Sequence, residues 1–153
     1  MLTTKNQREQ AYWAEQVEPL LGEDVEVRGE YDQDQKADLL SRAAGLLFPI
    51  QWPEPFGLVM TEAMACGTPV VAWRNGSVPE VVADGETGFI VSSVQEMAAA
   101  VDRLGELDPH VMRTWVKERF SAEAMVAGYE RVYQQVLVGG DEATRVLRSM
   151  QRP

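Results

Sequence analysis

The chain has 153 residues, 45% of them hydrophobic, which is enough for one substantial core but short for two independent domains. Its formal charge of -10, from 24 acidic against 14 basic residues, repels phosphate backbones and anionic lipid at long range and argues against nucleic acid as a partner. The single Cys66 excludes an intrachain disulfide, and with only His110 beside it no metal cluster is expected, so the composition points to a metal-free cytoplasmic protein.

Residues 1 to 15 carry Lys5, Arg8, Glu9 and Glu15 without an apolar segment, unlike a signal peptide. No apolar run approaches the ~20 residues that span a bilayer. A helical pattern covers Lys5–Leu21, and helices are predicted again at Gln35–Ala44, Gly57–Cys66, Val94–Leu104, Pro109–Arg119 and Ala122–Leu137. Between them fall short β-branched runs at Val25–Val27, Leu46–Phe48, Val70–Trp73 and Phe89–Val91. That alternation predicts βαβ units around a parallel sheet flanked by helices.

Helix ends carry their own signals. Ser93 and Glu96 have capping-box spacing, and Asp108-Pro109 sets an acceptor before a proline at the first helical position. Gly67 suits a left-handed cap after Cys66. Val138-Gly139-Gly140 reads as the first linker, which gives one domain over residues 1–138 and a loosely attached terminal helix or tail over 139–153. A sheet of this kind normally opens with a strand, so the leading helix predicts a domain truncated at its N-terminal edge, with self-association through the exposed sheet edge. Alternatively, that helix simply docks on the sheet.

The chemistry concentrates in residues 48 to 72, a strand end, a loop, a helix and the next strand. Ligands bind outside the C-terminal ends of strands in open α/β sheets, so this loop is in the right place. Seven of the ten residues from Gly57 to Cys66 are apolar, so the helix is buried on more than one side and Glu62 within it must find hydrogen bonds or reach solvent through a cleft. Glu54 and Glu62 flank one helix N-terminus, whose free N–H groups and partial positive charge attract phosphate. Two carboxylates there serve best as acceptors for hydroxyls on either side of a phosphate, one on a ribose and one on a hexose. Taken alone, Glu54 also reads as a solvated loop acid and Glu62 as a surface helix acid; together, around Pro55-Phe56-Gly57, they are far more specific.

Glu54-Pro55-Phe56-Gly57 with Glu62 forms an E-x7-E pattern that, continued through Glu62-Ala63-Met64-Ala65-Cys66-Gly67-Thr68-Pro69-Val70-Val71-Ala72, resembles the C-terminal domain of retaining GT-B glycosyltransferases of family 4. Asn75-Gly76-Ser77-Val78-Pro79-Glu80 is similar to the family's glycine-turn loop, Asp84–Val91 to its following strand, and Phe120–Met125 with Tyr129–Tyr133 to its closing helix. The likeness covers residues 25 to 137. It implies a Rossmann-like donor-binding half of a GT-B fold, metal-independent transfer of a hexosyl group from a nucleotide diphosphate sugar with retention, and a separate N-terminal acceptor-binding domain.

Residue by residue, the resemblance implies Glu54 as the catalytic-site carboxylate that approaches and positions the donor sugar, and Glu62 on the ribose hydroxyls. It puts the backbone of Phe56, Gly57, Leu58 and Val59 against diphosphate and sugar, Gly76 beside the same pocket, and the base near Arg28 to Tyr31. The family's upstream Arg and Lys find no match in residues 1 to 22, so weak nucleotide binding without transfer is expected of the isolated chain. The rival readings are a non-catalytic nucleotide-binding module and a partner-binding scaffold. His110 is remote from the acidic segment, Cys66 reads as a buried thiol, and Met60, Met64 and Trp73 read as core. Trp52 reads equally as a lid or as packing.

Overall fold

The computed structural model describes residues 7–150, with side chains from Arg8 to Leu137 apart from Glu9. The chain divides into two compact units, Met1–Lys36 and Ala37–Pro153.

In the first unit, helix α1 covers Gln7–Tyr12 and continues as a wider π-helical turn at Trp13–Val17 and a 3-10 turn at Glu18–Leu20. The predicted Lys5–Leu21 helix is thus a composite, and Lys5 lies outside the described residues. Pro19 has no N–H to give the ladder, and the last turn tightens so that Leu21 N–H reaches the Glu18 carbonyl at 3.2 Å. The strand predicted at Val25–Val27 does not form. That stretch is irregular, with Val25 and Val27 about half exposed. Two valines separated by Glu26 and bounded by Asp24 and Arg28 bury too little apolar surface to hold a ladder.

Helix α2 covers Gln33–Arg42, two residues ahead of the predicted span at both ends. The cause is a reciprocal cap: Gln35 N–H donates to Asp32 Oδ1 at 2.9 Å, and Asp32 N–H donates to Gln35 Oε1 at 3.2 Å.

The second unit holds a parallel three-stranded sheet of order β1-β2-β3, from Leu46–Phe48, Val70–Trp73 and Gly88–Val91. Leu46 pairs with Val70 and Val70 with Gly88. The central strand is apolar throughout because both its faces are covered. Val70 and Ala72 enter a core with Phe48, Met60, Met64 and Met112, whereas Val71 enters a second core with Phe89, Val91, Met97 and Ala100. The period-2 alternation of one strand thus feeds helices on both sides.

Helix α3, Leu58–Cys66, links β1 to β2, and its C-terminus closes as expected at Gly67: Gly67 N–H donates to Met64 O and Thr68 N–H to Ala63 O. Arg113 of helix α6 (Pro109–Phe120) donates to the Cys66 carbonyl at 2.7 Å, supplying a cation at that end. A four-residue helix α4, Val78–Val81, was not anticipated; Pro79 stands in its first turn, and Val78 and Val81 are buried. Helix α5 covers Val94–Val101, and a separate 3-10 turn takes Leu104–Glu106. Ser93 Oγ accepts from Glu96 N–H as predicted, but the Glu96 carboxylate answers Ser92 N–H at 2.7 Å. Asp108 Oδ1 accepts from His110 N–H at 2.8 Å, the predicted start of α6.

The last helix, α7, runs unbroken over Ala122–Met150, so Val138-Gly139-Gly140 is helical and no linker separates a final helix. A glycine in a helix costs only about 1 kcal/mol, which a long helix tolerates. Met125, Tyr129, Val132 and Val136 lie on one exposed apolar stripe of α7.

Candidate acidic loop at the C-terminal end of the sheet

Phe48 ends β1 and Leu58 opens α3, so the intervening loop leaves the C-terminal edge of the sheet, where ligands of open α/β folds are held. Pro49, Pro53 and Pro55 give it fixed φ angles and three fewer backbone donors. Glu54, half-buried, folds its carboxylate back over the loop. Its Oε1 accepts from Gly57 N–H at 3.2 Å, with Phe56 N–H at 3.5 Å. Gly57, at φ 72°, is the left-handed residue that turns the chain into α3. Two amides therefore converge on one anionic oxygen, the chemistry by which such a turn would hold a phosphate or sugar oxygen.

Glu62 lies one turn beyond Leu58 on the open face of α3, half-buried, while Met60, Thr61, Ala63 and Met64 on the remaining faces are buried. The expectation that this helix is covered on more than one side holds. Leu58 is 67% exposed, and Val59 is half-buried against the larger core. Phe56 is partly exposed and meets Phe120 edge-on, with ring centroids 5.8 Å apart.

The residues following β2 close on this loop. Gly76 has φ 50°, and a Cβ there would come within 2.5 Å of the Glu54 carbonyl oxygen and 2.6 Å of its nitrogen. Asn75 Nδ2 donates to Gln51 O at 2.6 Å, Ser77 N–H to Glu54 O at 2.9 Å, and Ser77 Oγ to Phe56 O at 2.9 Å. A cavity of about 430 Å³ opens at the C-terminal ends of β2 and β3, lined by Gln51, Trp73, Arg74, Asn75, Val91 and Ser92. Sequence reasoning singled out Gly76 and passed over Asn75, Ser77 and Arg74. The available signal was a glycine between two hydrogen-bonding side chains directly after a buried strand.

Arg28 and Tyr31 belong to the first unit. Arg28 pairs with Glu26 at 2.5 Å, and that hydrogen bond, the Glu26 charge and then Tyr31 hold the guanidinium above its usual pKa. His110 is exposed and lines a separate 330 Å³ groove with Val111, Thr114, Trp115 and Glu118. Cys66 is half-buried, its Sγ 3.8 Å from the Ala37 carbonyl. Met60 and Met64 are fully buried, Trp73 packs against the second core, and Trp52 is 54% exposed, which removes it from the core.

The fold is therefore an open parallel α/β layer with an acidic, amide-lined loop at its C-terminal edge. The chain belongs to the glycosyl transferases group 1 family, whose model matches residues 6–128. It is 36% identical over 113 residues to N-acetyl-alpha-D-glucosaminyl L-malate synthase of Bacillus anthracis, covering 69% of this chain and 29% of that protein. It is 51% identical over 67 residues to D-inositol 3-phosphate glycosyltransferase of Mycobacterium bovis, covering 42% of this chain and 14% of that protein. Among solved structures, sucrose-phosphate synthase from Thermosynechococcus elongatus superposes with a TM-score of 0.64 at 33% identity, covering 86% of this chain and 34% of the other. The chain spans about a third or less of the length of these relatives. No helix among the described residues is long and apolar enough to cross a membrane.

Proposed function

We propose that this chain is the donor-binding half of a retaining glycosyltransferase that takes a hexosyl group from a nucleotide diphosphate sugar. The observation that carries the reading is the convergence of the Phe56 and Gly57 amides on one carboxylate oxygen, at the edge of the sheet where α3 begins. In this reading Glu54 accepts from a hydroxyl of the donor sugar, and Glu62 from the ribose. The backbone of Phe56, Gly57, Leu58 and Val59 faces the diphosphate, with Gly76 beside it. Charge gathering on the departing diphosphate is met by fixed amide dipoles, and the reaction is read as metal-independent. The relatives, an N-acetyl-alpha-D-glucosaminyl L-malate synthase and a D-inositol 3-phosphate glycosyltransferase, support sugar transfer as the reaction class. The acceptor belongs to a separate acceptor-binding domain, and self-association through the sheet edge and a cytoplasmic location belong to the same proposal.

A second reading, a nucleotide- or partner-binding module without transfer, draws on the exposed apolar stripe of α7 around Tyr129, Val132 and Val136. Calorimetric titration with UDP, GDP and ADP, alongside an assay of sugar transfer, separates the two. The donor-site reading expects roughly millimolar binding of one diphosphate, weakened further by Glu62→Ala, and no turnover by the 153-residue chain alone. Wild-type binding no tighter than that of Glu62→Ala sinks the pocket, and turnover by this chain sinks the need for a second domain.

A further inference from the structure

We propose that Asn75 and Ser77 are positioning residues for the acidic loop, holding it in the shape that aims the Phe56 and Gly57 amides at the Glu54 carboxylate oxygen. The proposal rests on the donor-site reading for its functional meaning, though not for its geometry.

Beyond the Glu54 carboxylate, the loop between Phe48 and Leu58 has few backbone hydrogen bonds of its own. Three of its residues are prolines without N–H groups, and Glu54 N–H reaches only as far as the Trp52 carbonyl at 2.8 Å. Its carbonyls at Gln51, Glu54 and Phe56 instead accept from two residues more than twenty positions later: Asn75 Nδ2, Ser77 N–H and Ser77 Oγ. Two of these three carbonyls belong to Glu54 and Phe56 themselves, so the clamp grips the residues that make the anion-facing turn.

The clamp is anchored in the core on both sides. Behind it, Asn75 follows β2, whose Val70, Val71 and Ala72 are fully buried. Ahead of it, Ser77 O accepts from Glu80 and Val81 N–H at 2.9 and 3.0 Å, at the start of α4, whose Val78 and Val81 are buried. Ser77 itself is 7% exposed, so its hydroxyl has no ready exchange of Phe56 for solvent. The contact is possible because residue 76 has no side chain at 2.5 Å from the Glu54 carbonyl. A rigid, buried turn thereby sets the geometry of an irregular, proline-rich one.

Two readouts on the 153-residue chain test this. The first is amide hydrogen exchange at Phe56 and Gly57 without ligand, in wild type, Ser77→Ala, Asn75→Ala and Ser77→Thr. The second is titration of the same proteins with UDP, GDP and ADP, with thermal midpoints recorded. Ser77→Ala is expected to speed Gly57 exchange about tenfold and to weaken the tightest of the three diphosphates by a similar factor, the effect of one lost hydrogen bond. Asn75→Ala should act in the same direction, and Ser77→Thr, which keeps the hydroxyl, should restore both readouts.

Unchanged Gly57 exchange in both alanine variants overturns the proposal, as does a diphosphate that wild type and Ser77→Ala bind equally. If wild type binds none of the three nucleotides while exchange responds as stated, the clamp stands and the donor-site reading falls.

Discussion

The Glu54 carboxylate accepts the Gly57 N–H at 3.2 Å, so the acid closest to the start of α3 occupies the amide that an incoming phosphate or sugar oxygen would use. The same oxygen cannot hold that amide and take a sugar hydroxyl in the same direction. In the donor-site reading, ligand binding at this turn would exchange an internal hydrogen bond for external ones, and the sign of the Glu54 contribution would depend on whether the ligand carries a sugar.

Glu54→Gln separates the two cases. Removing the charge relieves repulsion of a bare nucleoside diphosphate, which should bind about two- to fivefold tighter, while the matching nucleotide hexose loses its charged acceptor and binds several-fold weaker. Paired calorimetric titrations measure both. Equal weakening of the two ligands would show that Glu54 acts only by shaping the loop.

Gly76→Ala tests the close approach of the two loops. The new methyl would lie 2.5 Å from Glu54 O and 2.6 Å from Glu54 N, both backbone atoms, at a φ of 50° that side chains rarely adopt. A loss of about 2–3 kcal/mol in urea unfolding is expected. The control is Gly85→Ala, also at positive φ but with open space around it, which should cost only about 1 kcal/mol. Equal losses in the two variants would mean that steric contact with Glu54 contributes nothing.

The pH dependence of stability should owe little to the Arg103–Glu106 pair, although its geometry is good at 2.9 Å. The Arg103 hydrogen bond, opposed by desolvation and aided by the Arg103 charge, holds the Glu106 carboxyl below its ordinary value. A depressed carboxylate stabilises above its unfolded pKa, and that contribution fades as pH falls through the folded one. Both side chains are more than half exposed, so solvent and salt screen the pair. Carbon-13 NMR should show Glu106 titrating below an ordinary glutamate, and Glu106→Gln should leave the unfolding midpoint at pH 7 nearly unchanged.

The elements legible in the sequence were those whose causes are local. The Ser93 and Asp108 caps and the Gly67 termination of α3 depend on neighbours within a few residues, and each appears where the pattern put it, as do the short apolar runs of β1, β2 and β3. The Glu54-Pro55-Phe56-Gly57 turn with Glu62 was legible for the same reason, since one loop and one helix contain all of it. Val25–Val27 failed as a strand because alternation of two valines says nothing about whether a partner ladder is available. Gly139 and Gly140 failed as a break because helix continuation depends on the whole of α7.

The sequence by itself therefore determined the alternation of strands and helices and the capped ends at Ser93, Asp108 and Gly67, because capping and apolar patterning act over short distances. Only the tertiary structure decided how the acidic turn is held. Asn75 and Ser77 meet Gln51, Glu54 and Phe56 across more than twenty residues, brought there by the parallel pairing of β1 with β2, and the Asn75-Gly76-Ser77 pattern marks a turn without specifying which segment it meets.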